Sequence, residues 1–310
     1  MTHLNDFEQN TLRDLLFETL KEQRLKRRWS IFFKFLYLII AILFFWWMLT
    51  PDDSSFATSK PHAALIDIRG TIDDNSQASA RNVMNALKDA YKEPNVKGII
   101  LRINSPGGSP VQASYIYNEV IRLKHLNPKK PIYAVCEDLC TSAAYYIASS
   151  SDAIYANPSS LVGSIGALID GFGFVGTEQK VGVERRLITS GTNKGFLDPF
   201  SPLRKDDEAY AHEMLDQIHS QFIVDVKRGR GTRLKDTPEI FSGRVWTGIG
   251  AKPLGLIDDF GSADSVARDI IKTKNTVNYT VKSNLFDQLS SRIGTICNQV
   301  IHDQMGMKLK

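Results

Sequence analysis

The stretch VKGIILRINSPGG, residues 96–108, decides the expected fold. Its apolar run GIILRI has the length and composition of a buried strand, and it ends in a Pro-Gly-Gly turn. A helical pattern follows over residues 110–125. A buried strand, a turn and a helix in this order predict a β-α-β unit, the building block of a parallel sheet.

The same alternation continues on both sides of this stretch. Strand-like segments and helical patterns follow one another along the chain: AALIDIRGTI (63–72), a helix over about 77–92, PIYAVCED (131–138), a helix that starts at Ser142, DAIYANPSSLVGSIGALI (152–169) and RRLITSG (185–191). We therefore predict an α/β domain with a largely parallel sheet over residues 62–283. Two amphipathic helical patterns, over residues 205–228 and in the tail 284–310, carry apolar faces that would pack on the core or on a partner.

An N-terminal segment is predicted to cross a membrane. Residues 29–50 are apolar on every face, carry only Lys34 as a charge, and are long enough for a hydrocarbon core of about 30 Å. Trp29 at one end and Trp46 and Trp47 at the other suit the two membrane interfaces. The alternative is a buried core helix, but such helices rarely remain apolar all round for this length.

The charges beside this segment predict its orientation. KEQRLKRR, residues 21–28, precedes it and TPDDSS follows, so the positive-inside rule keeps residues 1–28 in the cytoplasm. Residues 51–61 are interpreted as a tether, and the α/β domain is expected in the periplasm or outside the cell. Good cleavage signals are lacking after the span, which indicates an uncleaved anchor.

Composition limits the remaining classes. The 310 residues are 43% hydrophobic and 23% charged with a formal net charge of +4, and the sequence shows no basic groove with interleaved aromatic residues, so nucleic-acid binding has little support. Three cysteines, Cys136, Cys140 and Cys297, are too few for a disulfide framework or a zinc site, and no metal or cofactor is expected. A Cys136–Cys140 bridge and two buried thiols both remain open.

Two chemistry-bearing turns are expected at one rim of the sheet. Gly107 and Gly108 follow one predicted strand and Ser142 follows the next, and the carboxyl ends of parallel strands form the usual ligand side. A Gly-Gly turn lets backbone N–H groups approach a developing oxyanion, although it is also compatible with a plain tight turn. With Ser142 as nucleophile, the N–H groups of Gly108 and Ala143 would form the oxyanion hole of an acyl-transfer site.

A serine nucleophile needs a base. None of the six histidines lies at the end of a predicted strand and no G-x-S-x-G motif occurs, so a Ser-His-Asp triad has little support. A lysine can act instead if an apolar site lowers its pKa. Lys194, in SGTNKGFLDPF after the predicted strand RRLITSG, is the best candidate, and an ordinary solvated loop lysine is the alternative.

Four ordered motifs resemble a known family. SPGGSPVQAS, CTSAAYYIASSSDAIYANPSSLVGSIGALI, ITSGTNKGFLDPFSP and FSGRVWTGIGAKPLGLIDDFG together are similar to the short form of the signal peptide peptidase A family. The resemblance spans about residues 62–263 and implies a Clp-protease/crotonase-like fold with a serine–lysine dyad. It implies Ser142 as nucleophile, Lys194 as base, Ser164 as the serine that orients Lys194, and Gly107, Gly108 and Ala143 around the oxyanion.

This resemblance also implies substrates and an assembly. We expect a serine endopeptidase that degrades peptides such as remnant signal peptides, in a homo-oligomeric ring where a neighbouring subunit supplies the lysine. Family members often have Gly-Gly after the nucleophile, where this chain has Ala143 and Ala144, so a narrower site is expected. The competing hypotheses are a crotonase-type acyl-CoA enzyme and a non-catalytic membrane scaffold.

Overall fold

The computed structural model of the chain describes residues 6–49 and 60–281. The first range is one continuous helix, α1 (Asp6–Leu49), which belongs to a different compact unit from residues 60–281. At 44 residues, α1 is about 66 Å long. Its part Gln23–Trp46 is long and apolar enough to cross a membrane, and it is not buried in the chain. The predicted tail 284–310 and most of the tether lie outside the described residues.

An eight-stranded sheet organises residues 60–281. Its strands are β1 (His62–Arg69), β2 (Val96–Ser105), β3 (Ile132–Thr141), β4 (Ala153–Ala156), β5 (Leu161–Gly163), β6 (Val245–Thr247), β7 (Asp259–Phe260) and β8 (Thr276–Asn278). The strand order is β6-β5-β3-β2-β1-β8, while β4 pairs with β3 and β7. Only the β5–β6 pair is antiparallel among the pairings of the described residues. The prediction of a largely parallel α/β sheet is confirmed.

Helices cover the sheet unequally on its two faces. They are α2 (Ala80–Lys92), α3 (Pro110–Leu126), α4 (Ala143–Ser149), α5 (Val175–Val181), α6 (Lys205–Arg230), α7 (Gly248–Ala251) and α8 (Ala263–Ser265). Successive strand residues point to opposite faces, so Ile66 and Ile68 join the main core with α2, α3, α4 and α6. Leu65 and Ile100 join a smaller cluster on the other face, with Val266 and Ala267.

A bulge near the end of β3 precedes Ser142. Ile103 and Ser105 of β2 are two residues apart, but their partners on β3, Cys136 and Cys140, are four residues apart. The Asn104 side chain occupies this irregularity: it accepts a hydrogen bond from the Leu139 N–H at 3.2 Å and donates one to the Asp138 carboxylate at 2.8 Å. Such bulges bend a strand and re-aim its end. The first half of β3 therefore pairs with β4, and its last three residues pair with β5.

The structure contradicts one predicted strand. RRLITSG, residues 185–191, has no strand pairing, and Ile188 in it is 94% exposed. The segment has the alternating apolar residues of a strand, but among the described residues it has no neighbouring strand edge to pair with. Hydrogen bonding to a second strand is what makes such a segment a strand, so its local pattern is not sufficient.

Candidate active site

Ser142 occupies a strained turn between β3 and α4. Its φ is 55° and its ψ is −126°, which lies outside the left-handed helical well that a non-glycine residue tolerates. Such a conformation costs about 1–3 kcal/mol and persists only where the surroundings enforce it. Here, Thr141 is fixed by pairing with Gly163, and the Ser142 carbonyl accepts the first bond of α4, from the Tyr146 N–H at 2.9 Å. The result is a half-buried serine whose side chain caps nothing.

The Gly-Gly turn meets Ser142 as predicted from the strand order. A methyl group added at Gly107 would lie 2.7 Å from the Ser142 Cβ and 3.0 Å from the Ala143 nitrogen. At Gly108, where φ is 148°, an added methyl group would lie 2.2 Å from the Ile72 carbonyl oxygen. Neither position has room for a side chain, and Gly108 also has a backbone conformation that favours glycine. Both glycines are therefore required by the close approach of this turn to its neighbours.

Two backbone donors at this turn are unused. Within the described part of the chain, the N–H groups of Gly108 and Ala143 have no hydrogen-bond acceptor, although the adjacent Ser109 N–H donates to the Ile72 carbonyl at 2.8 Å. Ala143 is the first residue of α4, where the N–H groups of a helix lack partners within the helix. Unpaired N–H groups beside a serine can stabilise a negatively charged oxygen.

Ser164 lies beside Ser142 because of the register of β5 on β3. Thr141 pairs with Gly163, so the next residue of each strand, Ser142 and Ser164, leaves the sheet at the same level. The Ser142 N–H also donates to the Gly163 carbonyl at 2.8 Å. Ser164 itself has a φ of 54°, and its N–H donates to the Arg244 carbonyl at 2.7 Å. Two strained serines thus share one edge of the sheet.

Lys194 is not brought to these serines within one chain. It is exposed, and its ammonium group makes no hydrogen bond or ion pair with any residue the structure describes. Phe200 stacks on Phe174, at 5.3 Å between ring centroids, and does not cover the lysine. In the single chain, Lys194 is therefore a solvent-exposed loop residue.

The loop that carries Lys194 is held by the first turn of α6. The Arg204 guanidinium donates to the Thr192 carbonyl at 3.4 Å and to the Asn193 side chain at 3.2 Å. Arg204 also pairs with Asp207, and Phe196 packs edge-on against Tyr210 at 5.6 Å. A cavity of about 850 Å³, lined by apolar residues such as Phe172, Leu187 and Leu203, lies between this loop and residues 169–176. Ser142 and Lys194 do not line it.

The second half of α6 packs against α4, the helix that follows Ser142. Tyr146 of α4 donates its hydroxyl to the buried Asp225 carboxylate and stacks on Phe222 at 4.6 Å. Asp225 also pairs with Arg228 at 3.0 Å and accepts from Gln221 at 2.8 Å. Burial, and then the hydrogen bond to the Asp225 carboxylate, raise the pKa of Tyr146. Because Tyr146 lies one turn after Ser142, α6 fixes the helix that follows Ser142.

Sequence reasoning missed one histidine at this rim. His219 of α6 places Nε2 3.1 Å from the carbonyl oxygen of Ile165, the residue after Ser164. The predicted strand ends contain no histidine, whereas His219 reaches this rim from a helix. The i, i+3, i+4 pattern of α6, with Leu215, Phe222 and Val226 turned inward, could have placed His219 on the inner side.

The two described cysteines are free thiols. Cys136 and Cys140 are buried and form no disulfide. Burial raises the pKa of the Cys140 thiol well above its ordinary value. The structure therefore favours the second of the two readings, small buried apolar side chains, while Cys297 lies outside the described residues.

Comparison with known protein families identifies the group to which the chain belongs. Residues 124–277 match the model of peptidase family S49, and the matched range contains Ser142, Ser164 and Lys194. A protein of Synechocystis sp. with a provisional protease name is 31% identical over 210 residues, which cover 67% of this chain and 73% of that protein. The chain belongs to peptidase family S49. This is the signal peptide peptidase A family, and its Clp-protease-like fold agrees with the sheet described above.

Other relatives of this S49 member are longer proteins. A protein of Enterococcus faecium, named provisionally as signal peptide peptidase SppA, is 29% identical over 205 residues, 66% of this chain and 59% of that protein. The Na(+)/H(+) antiporter NhaA of Brucella abortus is 42% identical over 182 residues, 59% of this chain. The chain spans only 25% of the antiporter's length, and the antiporter name describes that whole protein.

Proposed function

We propose that this S49 member is a membrane-anchored serine endopeptidase with a Ser142–Lys194 dyad. The observation that carries the proposal is the turn at Ser142: a strained, half-buried serine stands beside two unpaired N–H groups, those of Gly108 and Ala143. This backbone conformation costs free energy, and strained residues of this kind cluster at sites that present a side chain to a ligand. Membership of a family of serine peptidases supports the same assignment.

The proposed reaction uses these groups in two stages. The neutral Lys194 amine accepts the proton of the Ser142 hydroxyl while Oγ attacks the scissile carbonyl carbon, and the oxyanion accepts hydrogen bonds from Gly108 and Ala143. The lysine ammonium then donates that proton to the leaving amine nitrogen, and an acyl-enzyme remains on Ser142. Water, deprotonated by Lys194, attacks the ester carbonyl; the proton returns to Oγ and the acid product leaves.

The lysine is proposed to come from a neighbouring subunit. Lys194 makes no hydrogen bond with Ser142 in the described part of one chain, and nearby stretches of the sequence carry exposed apolar side chains: Leu168, Phe172, Val183, Ile188 and Leu203. Exposed apolar surface of this extent marks an interaction site. A second copy that covers this region would remove Lys194 from water, and burial of an amine favours its neutral form. A homo-oligomeric ring provides such a neighbour to every subunit.

The proposed site of action is the outer face of the cytoplasmic membrane. The Gln23–Trp46 part of α1 is exposed, and its basic residues lie at its N-terminal end, before the apolar run that starts at Trp29, so the peptidase domain would face away from the cytoplasm. Remnant signal peptides are the proposed substrates. Alkaline phosphatase fused after residue 60 should be active, and a cytoplasmic reporter at the same point should be silent. The reverse pattern would refute the anchored topology.

Labelling with a fluorophosphonate probe tests the chemistry directly. Mass spectrometry of the labelled full-length protein should place the adduct on Ser142, and Ser142→Ala should remove it. Ser150→Ala is a matched control, because Ser150 is fully buried and its hydroxyl donates to the Ile147 carbonyl at 2.6 Å. An assembled protein that neither labels nor cleaves peptides would favour the scaffold hypothesis, and acyl-CoA turnover without peptide cleavage would favour the crotonase-type enzyme.

A further inference from the structure

The turn that follows β5 is unusually constrained. Gly163 and Ser164 both have positive φ angles, 98° and 54°, so two consecutive residues adopt a conformation that is costly for Ser164. Two of its backbone groups are hydrogen-bonded to neighbouring segments: the Gly163 carbonyl accepts from the Ser142 N–H, and the Ser164 N–H donates to the Arg244 carbonyl. These bonds hold the backbone of Ser164 beside the turn at Ser142.

His219 adds the only side-chain bond to this turn within the described residues. The carbonyl of Ile165 accepts the Gly243 N–H at 3.1 Å and lies 3.1 Å from His219 Nε2. A carbonyl oxygen can only accept, so Nε2 must carry a proton in either charge state of the ring. His219 therefore acts as a donor to the turn, and Nε2 cannot accept a proton from Ser142.

The contact also links the turn to a distant element. Gly243 and Arg244 precede β6, which pairs with β5, whereas His219 belongs to α6. The same helix contacts the Ser142 helix through Asp225, and Arg204, the residue just before this helix, binds the Lys194 loop. His219 is thus the point at which α6 is fixed to the Ser164 turn.

We propose that His219 is a positioning residue of the peptidase: it holds the Ser164 turn so that the Ser164 hydroxyl can orient the catalytic lysine. The inference rests on the proposed function, because it needs a serine peptidase in which Ser164 matters. Its effect is on the rate of the chemical step, since the residue acts through Ser164 and not on the substrate.

The test compares His219→Phe, His219→Leu and His219→Gln in the full-length protein. Phenylalanine keeps the ring without the donor, leucine removes both, and glutamine has an N–H donor of similar reach. We expect Phe and Leu to lower kcat about tenfold with KM within about twofold, and Gln to restore most of the rate. His212→Phe, at an exposed position of the same helix, is the control and should leave kcat unchanged.

A double-mutant cycle separates positioning from general support of the fold. If His219 acts through Ser164, then His219→Phe added to Ser164→Ala should lower kcat by less than about twofold further. Additive losses, or a Gln variant as slow as Phe and Leu, would overturn the inference. So would unchanged kcat in the Phe and Leu variants while Ser142→Ala abolishes cleavage. If Ser142→Ala does not reduce cleavage, the proposed function itself has failed.

Discussion

The backbone N–H of Ser142 donates a 2.8 Å hydrogen bond to the carbonyl of Gly163, which joins the turn at Ser142 to the turn at Ser164. The bond follows from the parallel pairing of β3 with β5, in which Thr141 and Gly163 are opposite each other. A displacement of either turn must therefore move the other. The two serines are expected to respond together to changes in this region.

Gly163→Ala should disturb both turns at once. The added methyl group would lie 2.8 Å from Cδ1 of Trp246, and the φ of 98° is unfavourable for alanine. We expect a loss of stability of about 1–3 kcal/mol and a fall in kcat of at least about tenfold. Urea unfolding and steady-state kinetics measure the two effects. Gly176→Ala is the control, because an added methyl group there has no atom within 4 Å, and equal behaviour of the two variants would contradict the prediction.

Lys194→Arg should be almost as inactive as Lys194→Ala and Ser142→Ala. An arginine side chain stays charged at all working pH values and cannot accept the serine proton. Ser164→Ala should be milder, since in the proposed mechanism Ser164 only orients the base. Peptide hydrolysis at matched protein concentration is the measurement, with Lys180→Arg, at an exposed position of α5, as the control substitution. Substantial activity in Lys194→Arg would exclude Lys194 as the base.

Mixing two inactive variants tests the origin of the lysine. Ser142→Ala and Lys194→Ala chains, expressed together, should recover part of the activity, because some interfaces would join an intact serine to an intact lysine. Each variant expressed alone is the control. Mixed assemblies that contain both chains and remain inactive would place the dyad within one subunit.

Asp225→Ala should destabilise the domain strongly. Its buried carboxylate accepts from Tyr146 and Gln221 and pairs with Arg228, so its removal leaves partly buried polar groups without partners. The half-exposed Arg228 can be solvated without its partner, but the Tyr146 hydroxyl would lose its buried acceptor, which costs about 1–3 kcal/mol and can be resolved by urea unfolding. Asp216→Ala, at an exposed position of the same helix, should change stability by less than about 0.5 kcal/mol. Similar midpoints for the two variants would show that the Asp225 network does not stabilise the fold.

Asp258 should make stability depend on pH in the acid range. Burial alone would raise the pKa of its carboxyl, but hydrogen bonds and charge from the fully buried Arg230, with smaller contributions from the Ile154 N–H and Arg233, hold that pKa below its ordinary value. A lowered folded-state pKa means that the stabilisation is complete above the unfolded value of about 3.9 and is lost as the pH falls through the folded value.

The stability difference between the wild type and Asp258→Asn measures this dependence. It should be constant from about pH 7 to about pH 5 and should shrink below about pH 4. Urea unfolding at each pH gives the difference, and Asp236→Asn, at an exposed position, serves as the control. A difference that does not change down to pH 2 would show that Asp258 and Arg230 are not coupled.

Local sequence patterns predicted the parts of the fold that depend on local burial. The strands around Ile66, Ile100 and Val135 are apolar because they are covered on both faces, and this signal is visible in a short window. The meeting of Gly107 with Ser142 was also predictable, since consecutive parallel strands end on the same rim.

Features that depend on long-range pairing were not predictable. The positive φ of Ser142 arises from the bulge opposite Asn104 and from the change of partner from β4 to β5, neither of which a window around Ser142 contains. The strand predicted around Ile188 does not form. Its alternating apolar pattern is visible in a short window, but a strand also needs a second strand to pair with, and a short window does not show whether one is present. His219 reaches the rim only through the packing of α6.

The backbone conformation of Ser142 restricts which nucleophile this turn can carry. A threonine would also supply a hydroxyl, but a β-branched residue at a φ of 55° would clash with its own backbone. A cysteine has no branch at Cβ and would fit with the strain that serine already bears. Ser142→Cys is therefore compatible with the backbone of this turn, whereas Ser142→Thr would require the turn to adopt another conformation.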